Sequence, residues 1–243
     1  MDNEAHEPEL DDQEFREIMY NVEELWRPIA ETIDKTFFAL EKVELVGSYG
    51  WMIPMHSGLG EIASLYELIS DQNTADTAFE KYFNDFDSQN LDILTKSLLQ
   101  KDELELWKPL LIEVVDSLHA ERYRIVVSAL LPVIEGVCAV NFGKLKFYKG
   151  KEREEFLKEI RLWAKRNESF TAYMWLSAIG LLNMVYKTAD LEGTSETDGD
   201  DLNRHRILHG RRIPKANRLD AIKLLLALDT ISALNYPTPA FSR

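Results

Sequence analysis

The sequence predicts an all-α fold, a helical bundle, and three observations lead to that prediction. Apolar residues recur at the three- and four-residue spacing of a buried helix face along most of the chain. Only 11 glycines and 8 prolines interrupt its 243 residues, and 45% of the residues are hydrophobic. A chain of this length and composition can bury a substantial core, so we expect a globular protein.

The N-terminal region, residues 1–118, is predicted to be helical. Residues 1–14 are acidic and expected to be poorly ordered. An apolar stripe from Phe15 to Leu40 predicts one long helix, with a bend at Pro28. The glycines and proline between Val46 and Met55 favour a loop whose Trp51 plugs the bundle.

Further helices are predicted before residue 118, over 57–69 with Ser57 as the cap, and over 73–84, 87–100 and 102–118. Residues 1–118 contain no catalytic motif that we recognise. We therefore interpret this region as one that covers, positions or regulates the rest of the chain.

The C-terminal region, residues 119–243, is predicted to form a helical domain of its own. Its first helix, from Tyr123 to Cys138, is mostly apolar but carries Glu135. A buried carboxylate is seldom left unpaired, so Glu135 either pairs with a structural cation or holds a functional group. The pattern next predicts a loop that enters an exposed helix over 144–158, and then a helix over 170–186 that is apolar nearly all round. A long connection over 188–201 and a closing helix over 219–234 are predicted after it.

The charge of the chain is unevenly distributed. A net charge of -14 argues against broad, nonspecific binding of nucleic acid. Between Asn203 and Lys223, however, seven Lys and Arg residues stand against the single carboxylate of Asp220. A compact basic island in an acidic body is typical of a local phosphate-binding site, and the alternative is an ordinary solvated loop and helix start.

The segment Asn203-Arg-His-Arg-Ile-Leu-His-Gly210 combines the residue types that phosphodiester chemistry needs. The guanidinium of Arg204 matches a phosphate, and His209 can act as a general acid or base near neutral pH. On one helix the two side chains would lie about 140° apart, at roughly 100° per residue. We therefore expect a neighbouring helix or a second copy of the chain to complete the site.

The same segment resembles the Arg-x4-6-His signature of HEPN domains, with His205 following the arginine as the family pattern allows. The helix carrying Glu135, and the apolar helix that follows the segment, extend the resemblance to bacterial defence and abortive-infection proteins of this family. The likeness covers roughly residues 119–236. Arg211 departs from one toxin branch, which carries a tyrosine two residues after the histidine.

This resemblance implies an all-helical homodimer and a metal-independent endoribonuclease without a cofactor. Arg204 would stabilise the pentacovalent phosphate, His209 would transfer the proton, and His205 would orient the substrate. Glu135 would support the motif. RNA would be the substrate, and an antitoxin or another defence-system protein would be a partner. The candidate substrate-binding residues are Asn203, Arg206, Arg211 and Arg212.

Two alternatives remain from the sequence. A noncatalytic HEPN-like module would use the arginines of the basic island to bind RNA, a nucleotide or a protein partner. His205 and His209 share a helix face and would suit zinc, but no third ligand lies nearby. One cysteine, Cys138, excludes an internal disulfide, and the longest apolar runs are too short for a membrane span, so we expect a cytoplasmic protein without a membrane partner.

Overall fold

The computed structural model describes residues 20, 24, 41–142, 150–167, 169–186, 202, 207–208 and 216–234, with the backbone alone described at 85–88. All regular secondary structure in these residues is helical, which confirms the all-α prediction. The predicted helix from Phe15 to Leu40 lies outside them, apart from Tyr20 and Glu24, which are both helical. The proposed connection over 188–201 also lies outside them.

Four α-helices and one 3-10 helix occupy residues 43–119. They are α1 (Val43–Ser48), α2 (Leu59–Glu67), α3 (Gln72–Gln100), a 3-10 helix (Asp102–Trp107) and α4 (Lys108–His119). Asp71 caps α3, since its carboxylate accepts the Thr74 N–H at 2.8 Å. Pro109 lies in the first turn of α4, where its missing N–H has no helical partner to lose.

Three details of this half differ from the prediction. The predicted loop over 46–55 begins with the end of α1, although Trp51 within it is fully buried, as expected. Gly58, not Ser57, precedes α2, and Glu61 accepts the Gly58 N–H at 2.9 Å. The two helices predicted over 73–84 and 87–100 are one continuous helix, because no glycine or proline separates them.

Four α-helices follow in the C-terminal half: α5 (Tyr123–Asn141), α6 (Gly150–Ala164), α7 (Phe170–Val185) and α8 (Arg218–Ala233). Ser169 caps α7 by accepting the Ala172 N–H at 3.2 Å. Pro132 lies inside α5, whose helical structure continues past it. Helices α5, α7 and α8 match the predicted ones to within a few residues. Helix α6 extends past the predicted end at Lys158, and one face of it, with Phe156, Leu157 and Ile160, is buried.

Helix α8 lies at the centre of the described bundle. Twelve of its 16 residues, Ala221 to Ser232, are buried, and it packs against α3, α5 and α7. One hydrophobic cluster includes buried side chains from both halves of the chain. The boundary near residue 118 remains a prediction, but α3 from the first half and α5 from the second share α8 as a common neighbour.

Helices α1 and α7 cross at unusually close range. A Cβ atom on Gly47 would lie 2.3 Å from the carbonyl oxygen of Ser177, and one on Gly180 would lie 2.5 Å from the carbonyl carbon of Gly47. Only glycine fits at these two positions, because the obstructing atoms belong to the backbone and cannot rotate away.

Helix α5 is the one helix among the described residues that is long and apolar enough to cross a bilayer. It packs between α4 and α8, and its residues Val126, Leu130, Ile134 and Cys138 are buried in the protein. This packing is that of a core helix in a helical bundle.

Candidate functional site

The candidate site residues of the basic segment lie outside the described residues. They are Asn203, Arg204, His205, Arg206, His209, Arg211 and Arg212. Three neighbours within or beside the segment are described, and all contact the protein interior. Leu202 is 5% exposed, and Ile207 and Leu208 are half-buried against the hydrophobic core. Apolar side chains therefore attach the segment to the bundle at both sides of Arg204.

The helix that follows the basic segment, α8, begins at a well-defined N-terminal cap. The Asn217 side chain accepts the Asp220 N–H at 2.9 Å, and the Asp220 carboxylate accepts the Asn217 N–H at 3.0 Å. This reciprocal cap satisfies two donors that the first turn of α8 would otherwise leave open. Ala216, the residue before it, packs against the core. The short basic stretch after His209 thus ends at a defined point, the N-terminus of the central helix.

Glu135, the predicted supporting residue, is half-buried on α5. Burial, and secondarily the charge of Glu135, raise the pKa of the Cys138 thiol one turn further along. Helix α5 packs on α8, the helix into which the segment leads. A contact between Glu135 and Arg204 stays a prediction, because Arg204 is not among the described residues.

A second group of polar residues, which the sequence analysis missed, surrounds Asp229 near the C-terminal end of α8. Its side chain is fully buried, and Oδ1 lies 2.7 Å from Lys101 Nζ and 3.1 Å from Ser97 Oγ. Lys101 Nζ also donates to the Asp229 carbonyl oxygen and to Ser232 Oγ. Among the described residues no group donates a hydrogen bond to Oδ2, and His56 Nε2 lies 3.5 Å from it. These contacts hold α8 to the end of α3 and to the loop after α1.

A third polar group lies on α8 two turns earlier. Lys223 Nζ is 2.7 Å from Asp76 Oδ1 and stands 5.0 Å from the ring centre of Trp51. The indole N–H of Trp51 donates to the same Asp76 oxygen at 2.7 Å. Gly50, with φ of 87°, lets the chain turn tightly beside Lys223. This group fixes the loop before α2 against the central helix.

The sequence contained one usable signal for these groups. Asp229, like Lys223, interrupts the apolar pattern of this helix, and a carboxylate on a buried face requires a partner. The identity of that partner was not readable, because Lys101 is 128 residues away along the chain.

Among the residues that the structure describes, no three His, Cys, Asp or Glu side chains are grouped in a way that would hold a metal ion. No protein-family model, curated protein or solved structure matches this chain.

Proposed function

We propose that this protein is a metal-independent endoribonuclease of the HEPN type that acts in prokaryotic defence or stress response, in the manner of an abortive-infection toxin. The observation that carries the proposal is the anchoring of the Arg-x4-His segment to an all-helical bundle. Leu202, Ile207 and Leu208 contact the core on both sides of Arg204. A segment attached in this way keeps its polar residues near a rigid scaffold, as a catalytic site requires.

The chemistry follows from the two side chains. The ribose 2′-hydroxyl attacks the adjacent phosphorus, and the bond from phosphorus to the 5′-oxygen of the next nucleotide breaks. His209 transfers the proton between the 2′-hydroxyl and the leaving oxygen, while Arg204 stabilises the charge on the pentacovalent phosphate. The products are a 2′,3′-cyclic phosphate and a 5′-hydroxyl. His205 orients the substrate, and Asn203, Arg206, Arg211 and Arg212 bind its backbone.

The proposal includes a homodimer. If Arg204 and His209 lie on one helix, their side chains point in directions about 140° apart and cannot both reach a single phosphate. Two copies of the segment would supply both groups to one linkage. The activity would take place in the cytoplasm, and an antitoxin or another protein of the defence system would restrain it. The net charge of -14 limits nonspecific RNA binding and confines attraction to the basic segment.

The test is cleavage of single-stranded RNA by the purified chain in excess chelator. We expect Arg204→Ala and His209→Ala each to lower the rate about 100-fold or more, the range for loss of an acid–base or charge-stabilising group. Arg122→Ala and His119→Ala are the matched controls, since both residues are exposed; His119 is the last residue of α4, and Arg122 directly precedes α5. Cleavage that survives in either motif variant, or requires added metal, would refute the mechanism.

The basic island by itself supports a second candidate function, a noncatalytic HEPN-like module that binds RNA, a nucleotide or a protein partner. Six of its seven cations lie between Arg204 and Arg218 in an otherwise acidic chain. The seventh, Lys223, is buried and paired with Asp76, so it does not belong to the binding surface. Binding without turnover, weakened steadily by salt and by removal of Arg206, Arg211 or Arg212, would favour this function over the enzyme.

A further inference from the structure

The side of α5 that points away from the core, its outer face, is apolar and largely exposed. Its central line consists of residues spaced three and four apart, which share one side of a helix: Ile125, Ala129, Pro132, Gly136, Ala139 and Val140. Ile125 is 53% exposed and Val140 is 67% exposed. Glu135, half-buried at one edge, is the one charged residue between them. An exposed apolar patch of this kind marks an interaction surface.

Trp107 enlarges the outer face of α5. A Cβ atom on Gly136 would lie 3.0 Å from the Trp107 ring, so this half-buried indole lies against α5 at that point. Leu106, the residue before it, is 79% exposed, and Leu110, one turn after it, is 37% exposed. Apolar surface therefore continues from α5 onto the 3-10 helix and the start of α4.

The charge of the chain indicates where two copies of it can meet. With a net charge of -14, two copies repel each other wherever their carboxylates face. The exposed side of α6 is of that kind, since it carries Glu152, Glu154, Glu155 and Glu159. The outer face of α5 carries only Glu135 over a similar length. Two copies can therefore make contact there without bringing rows of carboxylates together.

The order of side chains along α5 fits an antiparallel pair of the same helix. The large residues Ile125 and Val140 lie at the two ends of the outer face, and Pro132 lies midway between them. If two copies cross at Pro132 in opposite directions, Ile125 of each lies opposite Val140 of the partner subunit. Ala129 then lies opposite Gly136 of the partner subunit, so small residues meet near the crossing point. A two-fold interface requires such self-complementarity, because one surface serves both copies.

We propose that the protein forms a two-fold dimer through the outer faces of α5, packed antiparallel with Ile125 against Val140 of the partner subunit. The proposal rests on the homodimer of the proposed function and adds its contact surface, and it holds whatever the chain does to RNA. A single helix pair buries less than the about 800 Å² per partner of a standard interface. We therefore expect a dissociation constant, Kd, on the order of 10 µM.

Sedimentation velocity of the full chain, from about 1 to about 100 µM, tests for the dimer around that Kd. Ile125→Glu and Val140→Lys should each raise the Kd at least about tenfold, because each places a charge opposite an apolar side chain of the partner. Both substitutions suit the helix dipole, with a carboxylate near the start of α5 and an ammonium near its end, so circular dichroism should show an intact fold. Leu162→Glu, at a 49% exposed position on α6, is the control and should leave the Kd unchanged.

A mixture of the two single variants tests the antiparallel arrangement. In that arrangement the new carboxylate of Ile125→Glu faces the new ammonium of Val140→Lys, and the natural Val140 and Ile125 still meet at the other end. The mixture should therefore dimerise at least as tightly as the natural chain. In a parallel pair the two new charges would lie about 22 Å apart, at opposite ends of the face, and mixing would restore nothing.

A natural chain that stays monomeric throughout, or a mixture that does not dimerise, would overturn the proposal. Single variants that dimerise like the natural chain would overturn the contact surface while leaving the homodimer of the proposed function. A monomer that sediments with phosphatidylcholine vesicles would assign the face to a membrane instead, and a monomer that Ile125→Glu destabilises would assign it to another segment of the chain. Arg204→Ala should dimerise as the natural chain does, so failure of RNA cleavage and failure of this dimer are distinguishable.

Discussion

Removal of Lys101 from the Lys101–Asp229 ion pair should destabilise the protein more than removal of the charge of Asp229. Lys101→Met leaves the Asp229 carboxylate fully buried, and among the described residues Ser97 at 3.1 Å and His56 at 3.5 Å are then its remaining polar neighbours. An uncompensated buried charge costs about 3–5 kcal/mol. Asp229→Asn leaves Lys101 with the carbonyl oxygen of residue 229 and the Ser232 hydroxyl, and its side chain is 18% exposed to water. We therefore expect a smaller loss for Asp229→Asn, about 1–3 kcal/mol.

Urea unfolding followed by far-UV circular dichroism measures both losses, with Lys108→Met as the control for an exposed ion pair on the surface. The control should change the free energy of unfolding by less than about 1 kcal/mol. The double variant, Lys101→Met with Asp229→Leu, removes both charges and should be more stable than Lys101→Met alone. A loss in Lys101→Met that is equal to or below that in Asp229→Asn would refute the reasoning.

Two further predictions concern packing and pH. Gly180→Ala should lower the free energy of unfolding by at least about 1–3 kcal/mol, because the added Cβ would lie 2.5 Å from backbone atoms of α1. Gly150→Ala is the control, since a Cβ at that position has no atom within 4 Å. Stability should also fall above about pH 8.5, since burial raises the pKa of Cys138 and the unfolded chain releases that proton first. Above that pH the free energy of unfolding should fall by up to about 1.4 kcal/mol per pH unit, and this slope should be smaller in Cys138→Ala. Equal pH slopes for Cys138→Ala and the natural chain would contradict this assignment.

Local patterns in the sequence predicted most of the helices. The apolar spacing in α5, α7 and α8 indicated their positions, because helix formation and burial of one face depend on neighbours three and four residues apart. Boundaries that depend on a single cap were less certain, and Gly58 took the place expected for Ser57. The break predicted in α3 was wrong because a change of apolar spacing does not end a helix that contains no glycine or proline.

The candidate site was predictable only where residues close in sequence carry it. Arg204, His205 and His209 were found as one segment, and Glu135 was singled out as a carboxylate on an apolar helix. The polar group around Asp229 could not be found in the same way. Its other members come from two places more than a hundred residues before it, His56 from the loop after α1, and Ser97 and Lys101 from the end of α3.

The sequence alone determined that this protein is helical, where most of its described helices form, and that a basic segment interrupts an acidic chain, because each of these properties depends on composition or on neighbouring residues. The tertiary structure decided which helix lies at the centre, that Gly47 and Gly180 permit a close crossing, and that Asp229 pairs with Lys101 and lies near His56. Those contacts link residues distant in the chain, and only the packing of α8 among the other helices brings them together.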